Sequence, residues 1–237
     1  MKKLAALALL AVAACAQTSE PPQHGAPSAV AEAPVGDRPP SSPPPAVAAA
    51  PAAAAPAAAA QAKIGQPAPD FSLPDLDGKT VKLADYKGKT VVLEWFNPEC
   101  PFVVQSHRAG GLKDTAARYT EKGIVWLAIN SGSAGKQGHG KEKNVKAKGD
   151  FSMGHPILLD ESGAIGRAYG AQRTPHMFVI DPKGILVYAG AIDSTKGGEP
   201  EKDEKVTNYV EAALGAVAQS KAVSTPETEA FGCSVKY

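Results

Sequence analysis

Cys100 stands at a point in the sequence where cysteine chemistry is favoured. The preceding run, 91–96, is rich in β-branched and aromatic residues, which predicts a strand that ends at Asn97-Pro98, and the pattern after Pro101 is helical. At a strand-to-helix junction the first-turn N–H groups and the helix dipole stabilise a thiolate, the reactive form of the side chain. Pro101 suits the first helical position because no N–H is needed there. The placement predicts a nucleophilic Cys100, although many lone cysteines are simply small buried hydrophobes.

A second cysteine, Cys233, lies in the C-terminal stretch 224–237, which has no clear periodicity. An unpatterned tail with one cysteine is either a covalent latch or a second redox partner. In an oxidising compartment the two thiols can pair, because disulfides persist there. The sequence alone does not decide whether Cys100 and Cys233 come close enough to bond.

The third cysteine, Cys15, follows the small residues 12–14 at the end of an apolar segment that begins after Lys2 and Lys3. This segment is too short to span a bilayer but has the features of a secretory signal. The pattern resembles the lipobox of bacterial lipoproteins, in which the cysteine is lipidated. We therefore expect residues 1–15 to be a lipoprotein signal peptide and the protein to be exported to the cell envelope, facing the periplasm, with a lipid anchor at Cys15. An ordinary cleaved signal is the alternative.

Composition divides the rest of the chain into two parts. Residues 16–62 are rich in Ala and Pro and almost free of large apolar side chains, which predicts a disordered tether. Residues 63–237 are numerous enough for one domain with its own core. The formal net charge of +1 does not point to a nucleic-acid partner. The Gly-rich segment 131–143 lacks the spacing of a phosphate loop, so no nucleotide site is predicted.

The hydrophobic pattern of the domain predicts alternating strands and helices. Strand 91–96, a helix from Cys100 to about Lys122 that is interrupted near Gly110-Gly111, and strand 124–130 form a βαβ unit. Two later strands joined by a tight turn at 182–184 form an antiparallel hairpin. A helix with apolar residues at helical spacing follows within 206–219. These elements predict an α/β domain.

Four segments, taken together and in this order, resemble the thioredoxin-fold redoxins. They are Ala-Pro-Asp-Phe-Ser-Leu at 68–73, Cys-Pro-Phe-Val at 100–103, Thr-Pro followed by Phe-Val-Ile-Asp within 174–181, and Phe-Gly-Cys-Ser-Val-Lys-Tyr at 231–237. The domain is most similar to the peroxiredoxin-like branch, near the alkyl hydroperoxide reductase and thiol-specific antioxidant proteins. The resemblance implies a three-layer α/β/α thioredoxin-like fold with a central mixed sheet. It also implies antioxidant oxidoreductase activity that needs no cofactor and no metal.

The resemblance assigns substrate-positioning roles to residues around Cys100. It implies a cis peptide bond between Thr174 and Pro175, lying against the cysteine, whose backbone aligns a bound peptide or thiol. Arg173 is expected to favour the thiolate, although a surface salt bridge is equally consistent. Asn97 occupies the place of the threonine that hydrogen-bonds the peroxide in typical peroxiredoxins, and its amide is a candidate donor.

Departures from the family pattern shape the predicted mechanism. Val103 stands where thioredoxins carry the second cysteine of Cys-x-x-Cys, so no adjacent thiol can resolve a mixed disulfide. The prediction is that Cys100 attacks a peroxide or a protein disulfide, that Cys233 serves as resolving partner, and that an external thiol reductant resets the pair. The alternative is a non-catalytic binding module with a structural Cys100–Cys233 disulfide.

A third possibility is a copper-handling redoxin. Cys100 with His139, His155 or His176 offers suitable ligand types. The second cysteine of the known copper motif is absent, which counts against this hypothesis.

Overall fold

The computed structural model describes residues 61–197 and 205–237. The predicted signal segment with Cys15, and residues 16–60 of the predicted tether, lie outside the described residues.

Strands and helices alternate through the described chain as the hydrophobic pattern predicts. A short 3-10 helix, Leu83–Tyr86, follows the second strand. The elements are β1 (Ser72–Pro74), β2 (Thr80–Lys82), β3 (Val91–Trp95), α1 (Pro101–Arg108), α2 (Thr115–Thr120), β4 (Val125–Asn130), α3 (Lys141–Asp150), β5 (Ile157–Leu159), α4 (Ala164–Tyr169), β6 (Arg173–Thr174), β7 (His176–Ile180), β8 (Leu186–Gly190), α5 (Tyr209–Ala218) and β9 (Cys233–Ser234).

The central sheet has five strands in the order β5-β4-β3-β7-β8. Strands β3, β4 and β5 run parallel, whereas β7 and β8 are antiparallel to their neighbours. The parallel half comes from the βαβ connection and the antiparallel half from the tight hairpin, since only antiparallel strands can be joined by a short turn. Two small ribbons, β1-β2 and β6-β9, lie outside this sheet.

Strand β3 is buried along its whole length because both faces of the sheet are covered. Side chains alternate along a strand, and Val91, Leu93 and Trp95 join one apolar cluster with α4 and the β1-β2 ribbon. Val92 lies on the opposite face with α2 and α5. Helices α1 and α3 contribute to a third cluster that includes Cys100. The predicted α/β/α arrangement with a mixed sheet is confirmed.

The helix predicted from Cys100 to about Lys122 is two helices, α1 and α2. They are separated at the Gly110-Gly111 pair, where the interruption was expected. Among the described residues, no helix combines the length and the apolar character needed to cross a bilayer.

Candidate functional site

Cys100 is the N-cap residue of α1. Its backbone is extended, with φ −79° and ψ 121°, and Pro101 opens the helix. The Cys100 N–H donates to Asn97 O at 3.1 Å, which closes the turn between β3 and the helix. The side chain is fully buried, with 0% exposure. The Cys100 side chain therefore lies at the end of the central strand and beneath other chain segments.

Thr174 lies directly against the cysteine. The Thr174-Pro175 peptide bond is cis. The Cys100 thiol donates a hydrogen bond to Thr174 O, with a sulfur-to-oxygen distance of 3.0 Å. The Thr174 hydroxyl is buried and has no hydrogen-bond partner among the described residues. An unpaired buried hydroxyl beside a thiol is ready to donate to a thiolate or to an oxygen atom bound there.

The C-terminal tail brings Cys233 to the same place. Strand β9 pairs antiparallel with β6, so that Cys233 is opposite Thr174 and Ser234 is opposite Arg173. At Gly232 (φ +138°) a Cβ atom would clash with the Thr174 carbonyl oxygen, so only glycine permits this approach. Cys233 is partly exposed, and both thiols are free.

The tail is held on both sides of the β6-β9 ribbon. Its last residue, Tyr237, also packs against the Arg167 guanidinium, which lies 4.5 Å from the ring centre. Four hydrogen bonds of 2.7 to 3.1 Å anchor the tail. Val235 N donates to Gln172 O, and the Tyr237 hydroxyl donates to Ala171 O. The N–H and the hydroxyl of Ser133 both donate to Lys236 O.

The two thiols differ in acidity. Burial raises the pKa of Cys100, but hydrogen bonds from the side chain of Cys233 and from the N–H groups of Val103 and Cys233 outweigh it, so the pKa lies below its usual value. Burial, together with the hydrogen bond to Cys100 and its charge, raises the pKa of Cys233 to about 11. Cys100 is therefore the more acidic thiol of the pair, and Cys233 is the less acidic one.

The sequence of the domain matches a known protein family. Residues 63–210 match the Redoxin family. The chain belongs to the Redoxin family. It is 27% identical over 148 residues to the thiol-disulfide oxidoreductase ResA of Bacillus thuringiensis, a match that spans 61% of this chain and 79% of that protein. It is 36% identical over 123 residues to the thioredoxin-like protein YneN of Bacillus subtilis, over 52% of this chain and 68% of that protein.

A solved structure agrees in fold. A hypothetical protein from Sinorhizobium meliloti 1021 superposes with a TM-score of 0.65 at 32% sequence identity, covering 74% of this chain and 94% of that one. The resemblance to thioredoxin-fold redoxins is thus confirmed, and the family includes thiol-disulfide oxidoreductases.

In this redoxin Asn97 faces the loop that follows β4. Its Oδ1 accepts from Glu99 N at 2.9 Å and its Nδ2 donates to Gln137 O at 3.5 Å. The neighbouring Glu99 carboxylate accepts from Gly138 N at 2.6 Å and Lys143 Nζ at 2.9 Å. The hydrogen bonds to Lys143 and Gly138 lower the pKa of Glu99. The hydrogen bonds of both side chains thus fasten this loop to the cysteine turn.

Arg173 is exposed on β6, beside the buried Thr174. Within residues 61–197 and 205–237 it forms no ion pair. It lines a cavity of about 480 Å³ together with His176, and neither cysteine lines that cavity. Burial lowers the pKa of His176 to about 4, so its ring is neutral at pH 7. Arg173 is also not among the groups that shift the pKa of Cys100.

Sequence reasoning missed a buried Glu94–His107 pair beneath α1. Glu94, in the middle of β3, is fully buried and accepts from His107 Nε2 at 2.7 Å and from Trp126 Nε1 at 3.3 Å. Burial raises the pKa of Glu94, but the charge and hydrogen bond of His107 outweigh it and leave the pKa lowered. A carboxylate inside an otherwise apolar strand was the available signal. Because His107 is in the last turn of α1, the pair fastens the helix that begins at Cys100 to the sheet.

A second histidine lies close to this pair. His155 is buried, its Nε2 has no partner among the described residues, and its pKa is lowered by burial to about 4. In the part of the chain that the structure describes, His, Cys, Asp and Glu side chains do not gather in threes that can hold a metal ion.

Proposed function

We propose that this redoxin is a thiol oxidoreductase whose reacting groups are Cys100 and Cys233. The observation that carries the proposal is the position of Cys233, which is paired opposite Thr174 and packs against the cluster that holds Cys100, while the Cys100 thiol donates to Thr174 O. A redox-active pair needs one thiol that ionises readily and a second thiol within bonding reach. The name of a relative, thiol-disulfide oxidoreductase ResA, supports the same class of reaction.

In the first step the Cys100 thiolate attacks the terminal oxygen of a peroxide. A sulfur–oxygen bond forms and the oxygen–oxygen bond breaks, which yields a sulfenic acid on Cys100 and, after one proton is taken up, an alcohol or water. The complete burial of Cys100 favours a small substrate over a protein disulfide. The unpaired Thr174 hydroxyl supports this step because it can donate to the oxygen that develops charge.

In the second step the Cys233 thiol attacks the sulfenic sulfur. A disulfide forms and water leaves, carrying the Cys233 proton. Two electrons from an external thiol reductant then return both cysteines to thiols. Pro175 and Thr174 hold the β6-β9 ribbon against Cys100, which keeps the two sulfurs together during the cycle.

A second candidate function uses the same contacts. The burial of Cys100 and the anchoring of the tail also suit a permanent Cys100–Cys233 disulfide in a non-catalytic binding module. Such a disulfide would be present on isolation and would resist thiol reductants.

The test is a thiol count by mass spectrometry on the full chain carrying Cys15→Ser, before and after a small excess of hydrogen peroxide. The proposal expects rapid loss of two thiols, and a trapped sulfenic acid when Cys233→Ser is added. The matched control exchanges the neighbours, Cys233→Ser with Ser234→Cys, which keeps two thiols but turns the second to the other face of β9. This control should not form the disulfide. A disulfide present at isolation that thiol reductants leave intact contradicts the cycle.

The predicted export and anchoring also remain proposals. We expect Cys15 to carry lipid and to hold the redoxin at a periplasm-facing membrane surface. Growth of the producing bacterium with labelled palmitate should label the wild-type chain and the Cys233→Ser control, whereas Cys15→Ser should lose the label. Equal labelling of all three would contradict the anchor.

A further inference from the structure

We propose that the external reductant attacks the Cys233 sulfur, so that the mixed disulfide of the reductive half-cycle forms on the C-terminal tail and Cys100 is released. This inference rests on the proposed function and adds the point at which the partner engages. It makes Cys233 the residue that exchanges with other thiols, and Cys100 the residue that meets the oxidant.

The exposure of the two sulfur atoms favours attack of the reductant at Cys233. A thiolate must approach a disulfide in line, from the side opposite the sulfur that will leave. For attack at Cys100 that side is the core, because Cys100 packs in a cluster with Phe96, Val103 and Ala128 and is 0% exposed. For attack at Cys233 the approach passes over the tail, where Cys233 is partly exposed. Of the two sulfur positions, the one at the helix is fully buried and the one on the tail is partly exposed to an approaching thiol.

The acidity of the thiol that leaves also favours attack at Cys233, which releases Cys100. The thiol with the lower pKa leaves faster in exchange reactions. Among the groups that lower the pKa of Cys100, the N–H groups of Val103 and Cys233 do not depend on the Cys233 thiol and remain when that sulfur is bonded to the reductant, whereas burial raises the pKa of Cys233. Release of Cys100 as a thiolate is therefore easier than release of Cys233.

The exchange balances as follows. The reductant thiolate forms a bond to the Cys233 sulfur while the Cys100–Cys233 bond breaks, and Cys100 departs as a thiolate. A second reductant thiolate then attacks the reductant sulfur in the mixed disulfide. Cys233 leaves and takes a proton, and the reductant is released as its own disulfide. Two thiols are oxidised for each protein disulfide reduced.

The test maps the first mixed disulfide. The full chain carrying Cys15→Ser is oxidised with diamide, mixed with glutathione, quenched in acid at increasing times, and digested for mass spectrometry. Extrapolated to zero time, glutathione on Cys233 should exceed glutathione on Cys100 by at least about tenfold. The same oxidised chain in urea is the matched control, and there the ratio should be near one because access and acidity are equalised. A native ratio near one, or in favour of Cys100, overturns the inference.

The remaining outcomes separate this inference from the proposed function. If diamide links the cysteines but peroxide does not, and glutathione still maps to Cys233, the peroxide step fails and the inference stands. If glutathione opens the disulfide only in urea, the inference is overturned and the structural module is favoured. If no oxidant joins the two cysteines, both proposals fail.

Discussion

The two cysteines occupy regions of the molecule that are built differently. Cys100 lies at a junction of two neighbouring elements, β3 and α1, and the helix is fastened to the sheet by the buried Glu94–His107 pair. Cys233 lies in a two-residue strand of the tail, which is held by its partner β6 and a few bonds around it. The position of Cys100 therefore depends on the packed core, whereas the position of Cys233 depends on the small β6-β9 ribbon. Changes to the first should alter stability, and changes to the second should alter redox chemistry.

The largest effect is expected at Glu94. Replacement with Ala leaves His107 and Trp126 buried without their acceptor, and removal of one partner of a buried pair costs about 3–5 kcal/mol. Urea unfolding should show this loss. The matched control, Glu161→Ala at an exposed carboxylate, should change the free energy of unfolding by about 0.5 kcal/mol or less. Equal effects of the two variants would mean that the pair does not support the helix side.

Acid should destabilise both regions through the buried His155 and the half-buried His176. Burial lowers the pKa of His155 and of His176 to about 4, whereas an unfolded histidine titrates near its model value of 6.5. As the pH falls from 6.5 towards 4, the unfolded state takes up protons that the folded state does not, so the free energy of unfolding decreases by up to about 3 kcal/mol per histidine. His155→Gln and His176→Gln should each flatten the pH dependence of urea unfolding. An unchanged slope in both variants would contradict the burial effect.

A smaller change in stability is expected at Gly232, with a specific redox consequence. Gly232→Ala places a Cβ against the Thr174 carbonyl at a positive φ, which costs about 1–3 kcal/mol. Because the strain lies in the β6-β9 ribbon, peroxide should still oxidise Cys100 while the disulfide with Cys233 forms more slowly. Stopped-flow oxidation followed by a thiol count separates the two steps.

Gly149→Ala is the matched control for this variant. Gly149 lies in α3, and a Cβ there meets no atom within 4 Å. It should leave disulfide formation unchanged and slightly stabilise the helix. If both glycine variants form the disulfide at the wild-type rate, the ribbon does not hold Cys233 in place.

Much of the fold was predictable because it follows from local patterns. The β-branched and aromatic run at 91–96 is β3, the interruption at Gly110-Gly111 separates α1 from α2, and the apolar spacing within 206–219 is α5. The position of Cys100 at a helix start follows from Asn97-Pro98 and Pro101 in the same way. These features depend on residues within a few positions of one another, so they can be predicted from the sequence alone.

Other features had no local signal. Asn97 matches the place of a peroxide donor in the family pattern, but no local pattern shows that its Nδ2 donates to Gln137 O in the loop after β4. Glu94 interrupts an apolar run, which marks it as unusual but does not name His107 as its partner. A polar side chain has several possible hydrogen-bond partners in the sequence, and tertiary packing determines which of them lies within bonding distance.

The sequence by itself determined the α/β pattern, the family resemblance and the helix-capping position of Cys100, since each rests on residue types at short spacing. Only the tertiary structure decided that Cys233 lies on Cys100. Strand β9 is two residues long, which is too short for a hydrophobic periodicity that would predict it. It forms because β6 provides backbone hydrogen-bond partners and Gly232 permits close approach to the Thr174 carbonyl. The acidity and the access of the two sulfurs arise from that contact, which no local pattern contains.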